Sequence, residues 1–174
     1  MAGIKRLALL KEMQARKLLS NKADLEREWS WQEKGMQGEK TMEELLVEDL
    51  PQVVTILHDV TLEFAGLTQC DFIALTANFW LLVEVKNYNG LMTYQDQRCR
   101  LRGEDLRADQ MAAMRNRLRI VKKLAHSVDP KLVVEAAMVF IHPNGEVEWD
   151  SQEDFAILTR NQIHPSKRNP PLIN

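Results

Sequence analysis

Residues 71–86, DFIALTANFWLLVEVK, constrain the fold more than any other stretch of the chain. Two runs rich in β-branched and aromatic residues flank Ala77-Asn78, and Asn78 is the turn-former between them, so the segment reads as an antiparallel hairpin. A tight turn there sets Thr76 opposite Phe79, Leu75 opposite Trp80, Ile73 opposite Leu82 and Asp71 opposite Glu84. With a period of two, Ile73, Leu75, Trp80 and Leu82 share one face, while Phe72, Ala74, Leu81, Val83 and Val85 share the other. Both faces are apolar, and a sheet apolar on both faces has to be covered on both. The hairpin therefore predicts an α/β sandwich with helices on each side of the sheet.

The same register puts Asp71, Glu84 and Lys86 on one face, with the two carboxylates about 5 Å apart at Cβ. Opposed like charges raise each other's pKa and destabilise the pair. A divalent cation resolves that conflict: Mg²⁺ takes one or two protein carboxylates and keeps waters for its substrate. An ammonium beside it can position or activate an attacking water next to a phosphate. The competing reading is a hairpin end at the solvent boundary, with the three side chains as ordinary polar strand terminators.

With 174 residues and 45% apolar content, the chain is long enough for one domain with its own core. Cys70 and Cys99 are too few for a disulfide framework and share no metal-type spacing with the four histidines, so they read as thiols in a reducing compartment. No apolar run approaches the roughly 20 residues of a membrane span. The apolar block Leu7–Leu10 is too short for a signal peptide, and the expectation is a cytoplasmic protein without a membrane partner.

In chain order, residues 1 to about 33 predict a charged helix, with Ile4, Leu7, Leu10 and Met13 at helical spacing. It reads as a packing arm or a homo-oligomerisation arm, hinged over Ser30–Gly38. A helix from Gly38 to Leu50, stopped by Pro51, carries the stripe Met42, Leu45, Leu46 and Leu50. Glu39 lies one turn before Met42, either answering the helix dipole or reaching toward the carboxylates. Val53–Leu57 and Val60–Phe64 predict two short strands around a break at His58-Asp59, where His58 reads as a turn residue rather than a ligand. After a turn at Asn87–Gly90, strands are expected near Leu91–Tyr94 and Arg98–Arg102. A helix over Leu106–His126 follows, with Met114, Leu118, Val121 and Ala125 on one stripe and Gln110 one turn ahead of Met114. Leu132–Ile141 predicts a buried strand completing a crossover, Phe155–Leu158 an edge strand, and His164 onward an irregular tail.

Charge is segregated even though the chain as a whole carries a formal −2. From Arg98 to Lys123, nine basic residues stand against three acidic ones. Arg98, Arg100, Arg102, Arg115, Arg119 and Lys122 are the candidates for phosphate contacts, set against the plain alternative of a solvated charged face.

Taken together, Gly38-Glu39 opening a core helix, Gln69-Cys70-Asp71-Phe72-Ile73, Phe79 through Glu84-Val85-Lys86-Asn87-Tyr88-Asn89-Gly90, Gln110 and the Met138-Val139-Phe140 strand resemble the NERD (nuclease-related) domain of the PD-(D/E)XK nuclease superfamily. The segment EVKNYNG after an apolar strand is the most specific part, and the resemblance covers roughly residues 36–160. It implies a restriction-endonuclease-like three-layer sandwich, a central mixed β-sheet flanked by helices, between an N-terminal helical arm (1–35) and a C-terminal tail (161–174). It further implies a nuclease that hydrolyses phosphodiester bonds, in DNA ahead of RNA, with Mg²⁺ or Mn²⁺ as cofactor. In that pattern Asp71, Glu84 and the Val85 backbone carbonyl bind the metal, Glu39 touches it or its waters, Lys86 orients or activates the attacking water, and Gln110 supports the site from the facing helix. Phe72 stands where the family often has His, and Met114 where related nucleases have Tyr. The alternative is a nucleic-acid-binding or interaction module that keeps the fold without turnover.

Overall fold

The computed structural model describes residues 22–49 and 54–163. Helix α1 (Lys22–Asp49) precedes strands β1 (Thr55–Glu63), β2 (Leu67–Leu75) and β3 (Phe79–Lys86), then β4 (Gly90–Gln95), β5 (Arg98–Leu101) and β6 (Glu104–Asp105). Helix α2 (Gln110–Val128), strands β7 (Val133–Phe140), β8 (Gly145–Trp149) and β9 (Ala156–Thr159), and the single helical turn α3 (Arg160–Ile163) complete the order. The strands form a five-stranded sheet, β1-β2-β3-β7-β9, and a four-stranded sheet, β6-β5-β4-β8.

The central hairpin has the register its turn dictates. Ile73 pairs with Leu82 and Leu75 with Trp80, and the Thr76 N–H donates to the Phe79 carbonyl at 2.9 Å to close the turn. β7 then runs parallel to β3 after α2, as a strand–helix–strand crossover requires. Each face of the hairpin is covered by a different helix. Met111, Met114, Leu118, Val121 and Ala125 of α2 pack with Ile73 and Leu82, whereas Met42 and Leu46 of α1 pack with Phe72, Val83 and Val85. The result is the restriction-endonuclease-like α/β architecture, a mixed sheet between flanking helices, with a second sheet alongside.

Three expectations are corrected and one strand is added. Ser30–Gly38 is no hinge, because α1 runs unbroken through it. Tertiary contacts outweigh the roughly 1 kcal/mol that each helical glycine costs: the Asn87 side-chain amide holds the Lys34 carbonyl at 2.7 Å. Gly38 sits so close to β3 that a Cβ there would lie 2.8 Å from Asn87 Cβ and 3.1 Å from Ile141 Cγ2. The two strands expected around His58-Asp59 are one strand, with His58 inside it and Asp59 in the left-handed region at φ 53°. Strand β8, for which no element was expected, is held by parallel pairing to β4. The tail begins with the helical turn α3.

The expected stripe Ile4–Met13, the stop at Pro51 and the tail from His164 lie outside the described residues. Among the described residues, no helix is long and apolar enough to cross a membrane.

Candidate active site

Side-chain alternation inverts at one level of the five-stranded sheet. Along β2, Phe72 faces α1 and Ile73 faces α2 as expected, but Cys70 also belongs to the α2 side. Along β1, Ile56 packs on the α1 side whereas Leu62 packs on the α2 side. In a strand of period two, residues an even number apart share a face unless the backbone twists between them. The inversion falls at Asp59 and Asp71, between the bridged pairs His58↔Phe72 and Val60↔Cys70, and the positive φ of Asp59 marks it in the backbone.

The β2–β3 ladder also stops here, at Phe72↔Val83, one pair short of Asp71 and Glu84. Beyond that point the Val85 N–H donates to Asp71 Oδ2 at 2.7 Å, so a carboxylate stands where a strand partner would be. Burial first, and the Glu84 carboxylate second, push the Asp71 pKa up from 3.8 to about 6, against the opposing pull of Lys86 and the Val85 N–H. This is the conflict between like charges that the sequence anticipates.

Glu84 is the buried member of the pair, its side chain 1% exposed. Lys86 Nζ donates to Glu84 Oε1 at 2.6 Å. Burial alone would lower the Lys86 pKa, but Glu84 and Asp71 outweigh it and hold the ammonium above its ordinary range. The other oxygen, Oε2, lies 3.3 Å from Arg117 Nε. The Arg117 N–H points elsewhere, donating to the Gln69 carbonyl at 2.7 Å. Oε2 is therefore buried and ion-paired, yet accepts no hydrogen bond.

Glu39 approaches from the α1 side. Its Oε2 lies 3.1 Å from His58 Nε2, the His58 ring stacks on Phe72 with centroids 4.5 Å apart, and the Glu39 charge contributes to the raised pKa of Asp71. The structure thus brings Asp71, Glu84 and Lys86 together and puts Glu39 within electrostatic reach. The Gln110 amide donates to the Ala108 carbonyl at 3.4 Å, and the ion pair from α2 to Glu84 comes from Arg117 instead. Sequence reasoning missed Arg117 and His58. Arg117 follows Gln110 by two helical turns, which is the signal that could have found it, and His58 was hidden by the expected strand break.

The donor set suits a hard divalent cation. Among the described residues no group of three or more His, Cys, Asp or Glu is arranged to hold an ion. Mg²⁺, however, needs only one or two protein carboxylates beside waters and substrate phosphates. A buried carboxylate oxygen without a hydrogen bond is the feature such an ion would satisfy.

The basic segment divides into separate groups. Arg100 pairs with Asp105 at 2.9 Å, and the Arg102 Nε–H donates to the Asn89 carbonyl at 2.8 Å. Arg115 donates to both carboxylate oxygens of Glu153, at 2.8 and 2.6 Å, and to the Tyr94 hydroxyl at 3.1 Å. Those bonds raise its pKa and lower that of Glu153. Arg115, Arg119, Lys122, Lys123 and His126, with Asp154 and Phe155, line a groove of about 380 Å³. At 100° per residue this row lies on the side of α2 away from Arg117, so the groove and the carboxylates occupy opposite flanks of one helix.

A family model described as the nuclease-related domain, NERD, matches residues 34–141, more than half of the chain. No curated protein and no solved structure matches the chain.

Proposed function

The chain belongs to the NERD family of nuclease-related domains, and on that footing we propose that it is a divalent-metal-dependent nuclease that hydrolyses phosphodiester bonds in DNA. One observation carries this reading: Asp71 and Glu84 meet where β2 and β3 part, with Lys86 bonded to one Glu84 oxygen and the other left without a hydrogen bond.

Asp71, Glu84 and the Val85 carbonyl would hold Mg²⁺ or Mn²⁺, with Glu39 acting directly or through water. The ion supplies neutralisation of phosphate charge and a more acidic water. Lys86, kept protonated by its two carboxylates, acts as a donor at Nζ that orients the attacking water against the phosphate. Val85 N–H fixes the Asp71 carboxylate from the backbone, so its direction does not depend on a second flexible side chain. Glu39 is held instead by a side chain, the His58 ring, which is itself stacked on Phe72. The basic flank of α2, through Arg119 and Lys122, supplies sequence-independent phosphate contacts, with Gln110 supporting the near end of that helix.

The test is cleavage of single- and double-stranded DNA with and without Mg²⁺. Mg²⁺-dependent cleavage that disappears in Asp71→Ala and Lys86→Ala is expected. A wild-type protein that binds DNA but cleaves no nucleic acid under any divalent cation would replace this reading with that of a binding module.

A further inference from the structure

Four charges meet at the strand junction, and they balance without any bound ion. Asp71 and Glu84 are the acids, Lys86 and Arg117 the bases, and each Glu84 oxygen faces a different cation. The two cations are held differently. Lys86 is hydrogen-bonded to Oε1, whereas Arg117 spends its Nε–H on the Gln69 carbonyl and neutralises Oε2 through space alone. The contact to Oε2 therefore contains no hydrogen bond of its own. The guanidinium cannot relieve a conflict by deprotonating, so it has to move or be opposed, and its side chain, 21% exposed, has solvent beside it.

We propose that Arg117 is a positioning residue that serves as the resident counter-ion of Glu84 Oε2 and competes with the divalent cation for that oxygen. This rests on the divalent-metal reading above. In the metal-free protein Arg117 keeps a buried carboxylate from standing unneutralised beside Asp71. When a divalent cation arrives, two positive charges enter a site that is already balanced, so Arg117 opposes entry and sets the cation concentration at which the site fills. An ordinary structural ion pair predicts the opposite sign, since losing it would loosen the site and weaken binding.

Mn²⁺ binding to the full chain, measured by titration calorimetry and by electron paramagnetic resonance of free Mn²⁺, separates the two without any turnover. Arg117→Gln keeps a donor for the Gln69 carbonyl and removes the charge, Arg117→Lys keeps the charge, and Asp71→Ala is the blank for binding elsewhere. Arg117→Gln should bind Mn²⁺ at least about tenfold tighter than wild type, since roughly that factor is left even when a unit charge about 4 Å away is screened as in bulk water, and Arg117→Lys should stay near wild type. Unchanged or weaker binding by Arg117→Gln, with wild type binding normally, overturns the inference and leaves the nuclease reading intact. Binding by neither wild type nor Arg117→Gln overturns the metal reading itself, and the inference with it.

Discussion

Replacing Asp71 with Asn tests the electrostatics of the site independently of its chemistry. Asp71 has an ordinary pKa of 3.8 and a folded-state value of about 6, raised by burial and by Glu84. Between those two values the folded protein binds more protons than the unfolded chain, so stability falls as pH rises through this window. Above about pH 6 the loss is complete, amounting to ~3 kcal/mol at 1.36 kcal/mol per pH unit. Asn has the same shape, never ionises, and offers its amide oxygen to the Val85 N–H that Asp71 now accepts. Asp71→Asn should therefore be more stable than wild type by ~3 kcal/mol near neutral pH in the presence of a chelator. That corresponds to a rise in Tm on the order of 5 to 10 °C for a chain of this size. The difference should shrink as pH falls and vanish below about pH 4, where both side chains are neutral. Urea unfolding of both proteins at a series of pH values reads this directly. Excess Mn²⁺ should then raise the stability of wild type alone, because a ligand stabilises only the state that binds it. Equal or lower stability of the variant at neutral pH, or a difference that does not change with pH, would refute the reasoning.

Gly38→Ala should destabilise the fold by roughly 1–3 kcal/mol, as overpacking does, because its Cβ would lie 2.8 Å from Asn87 Cβ; urea midpoints check this, and nuclease activity should fall with the displacement of Glu39. Arg115→Ala strips the cationic partner from Glu153, whose side chain is 4% exposed and keeps only the Ser151 hydroxyl, and should cost on the order of 1–2 kcal/mol after allowing for the half-exposed arginine. The double variant Arg119→Ala/Lys122→Ala should leave the urea midpoint unchanged and weaken DNA binding with a shallower salt dependence; a structural loss in the double variant, or none in Arg115→Ala, would reverse the division of roles.

What was legible in the sequence was local. The hairpin register follows from one turn and a period of two, and it holds from Leu75↔Trp80 to Phe72↔Val83. The two apolar faces gave the layers, and the stripe Met114, Leu118, Val121, Ala125 gave the helix that covers one of them. What was not legible depended on partners distant in the chain. The two glycines at 35 and 38 look like a hinge until the Asn87 amide and Ile141 are set against them. The β8 run GEVEW alternates but is only five residues long, and pairing with β4 makes it a strand. His58-Asp59 looks like a strand break because Asp is depleted in strands, yet neighbours on both sides of Asp59 stay in register with β2. Misreading that one residue moved His58 out of the sheet and out of the site.

The inversion at Asp59 and Asp71 is also what gives the site its composition. A sheet with strict alternation offers each strand residue to one layer only, and a carboxylate pair on the α2 face would have been closed to anything carried by α1. With alternation inverted and the β2–β3 ladder ended at the same level, Asp71 turns along the sheet to the Val85 N–H. It is then open to charges from both layers: Glu39, held by His58, from α1, and Arg117, through Glu84, from α2. The parting of the two strands thus leaves free the hydrogen-bonding groups the site uses, and the Val85 N–H it supplies works against the burial and the Glu84 charge that raise the Asp71 pKa. A variant that restores a regular ladder there, such as Asp71→Val, should gain β2–β3 pairing, seen as added amide exchange protection at Val85, and lose divalent cation binding in the same step. Protection at Val85 without loss of cation binding would separate the two features and show that the inversion is incidental to the site.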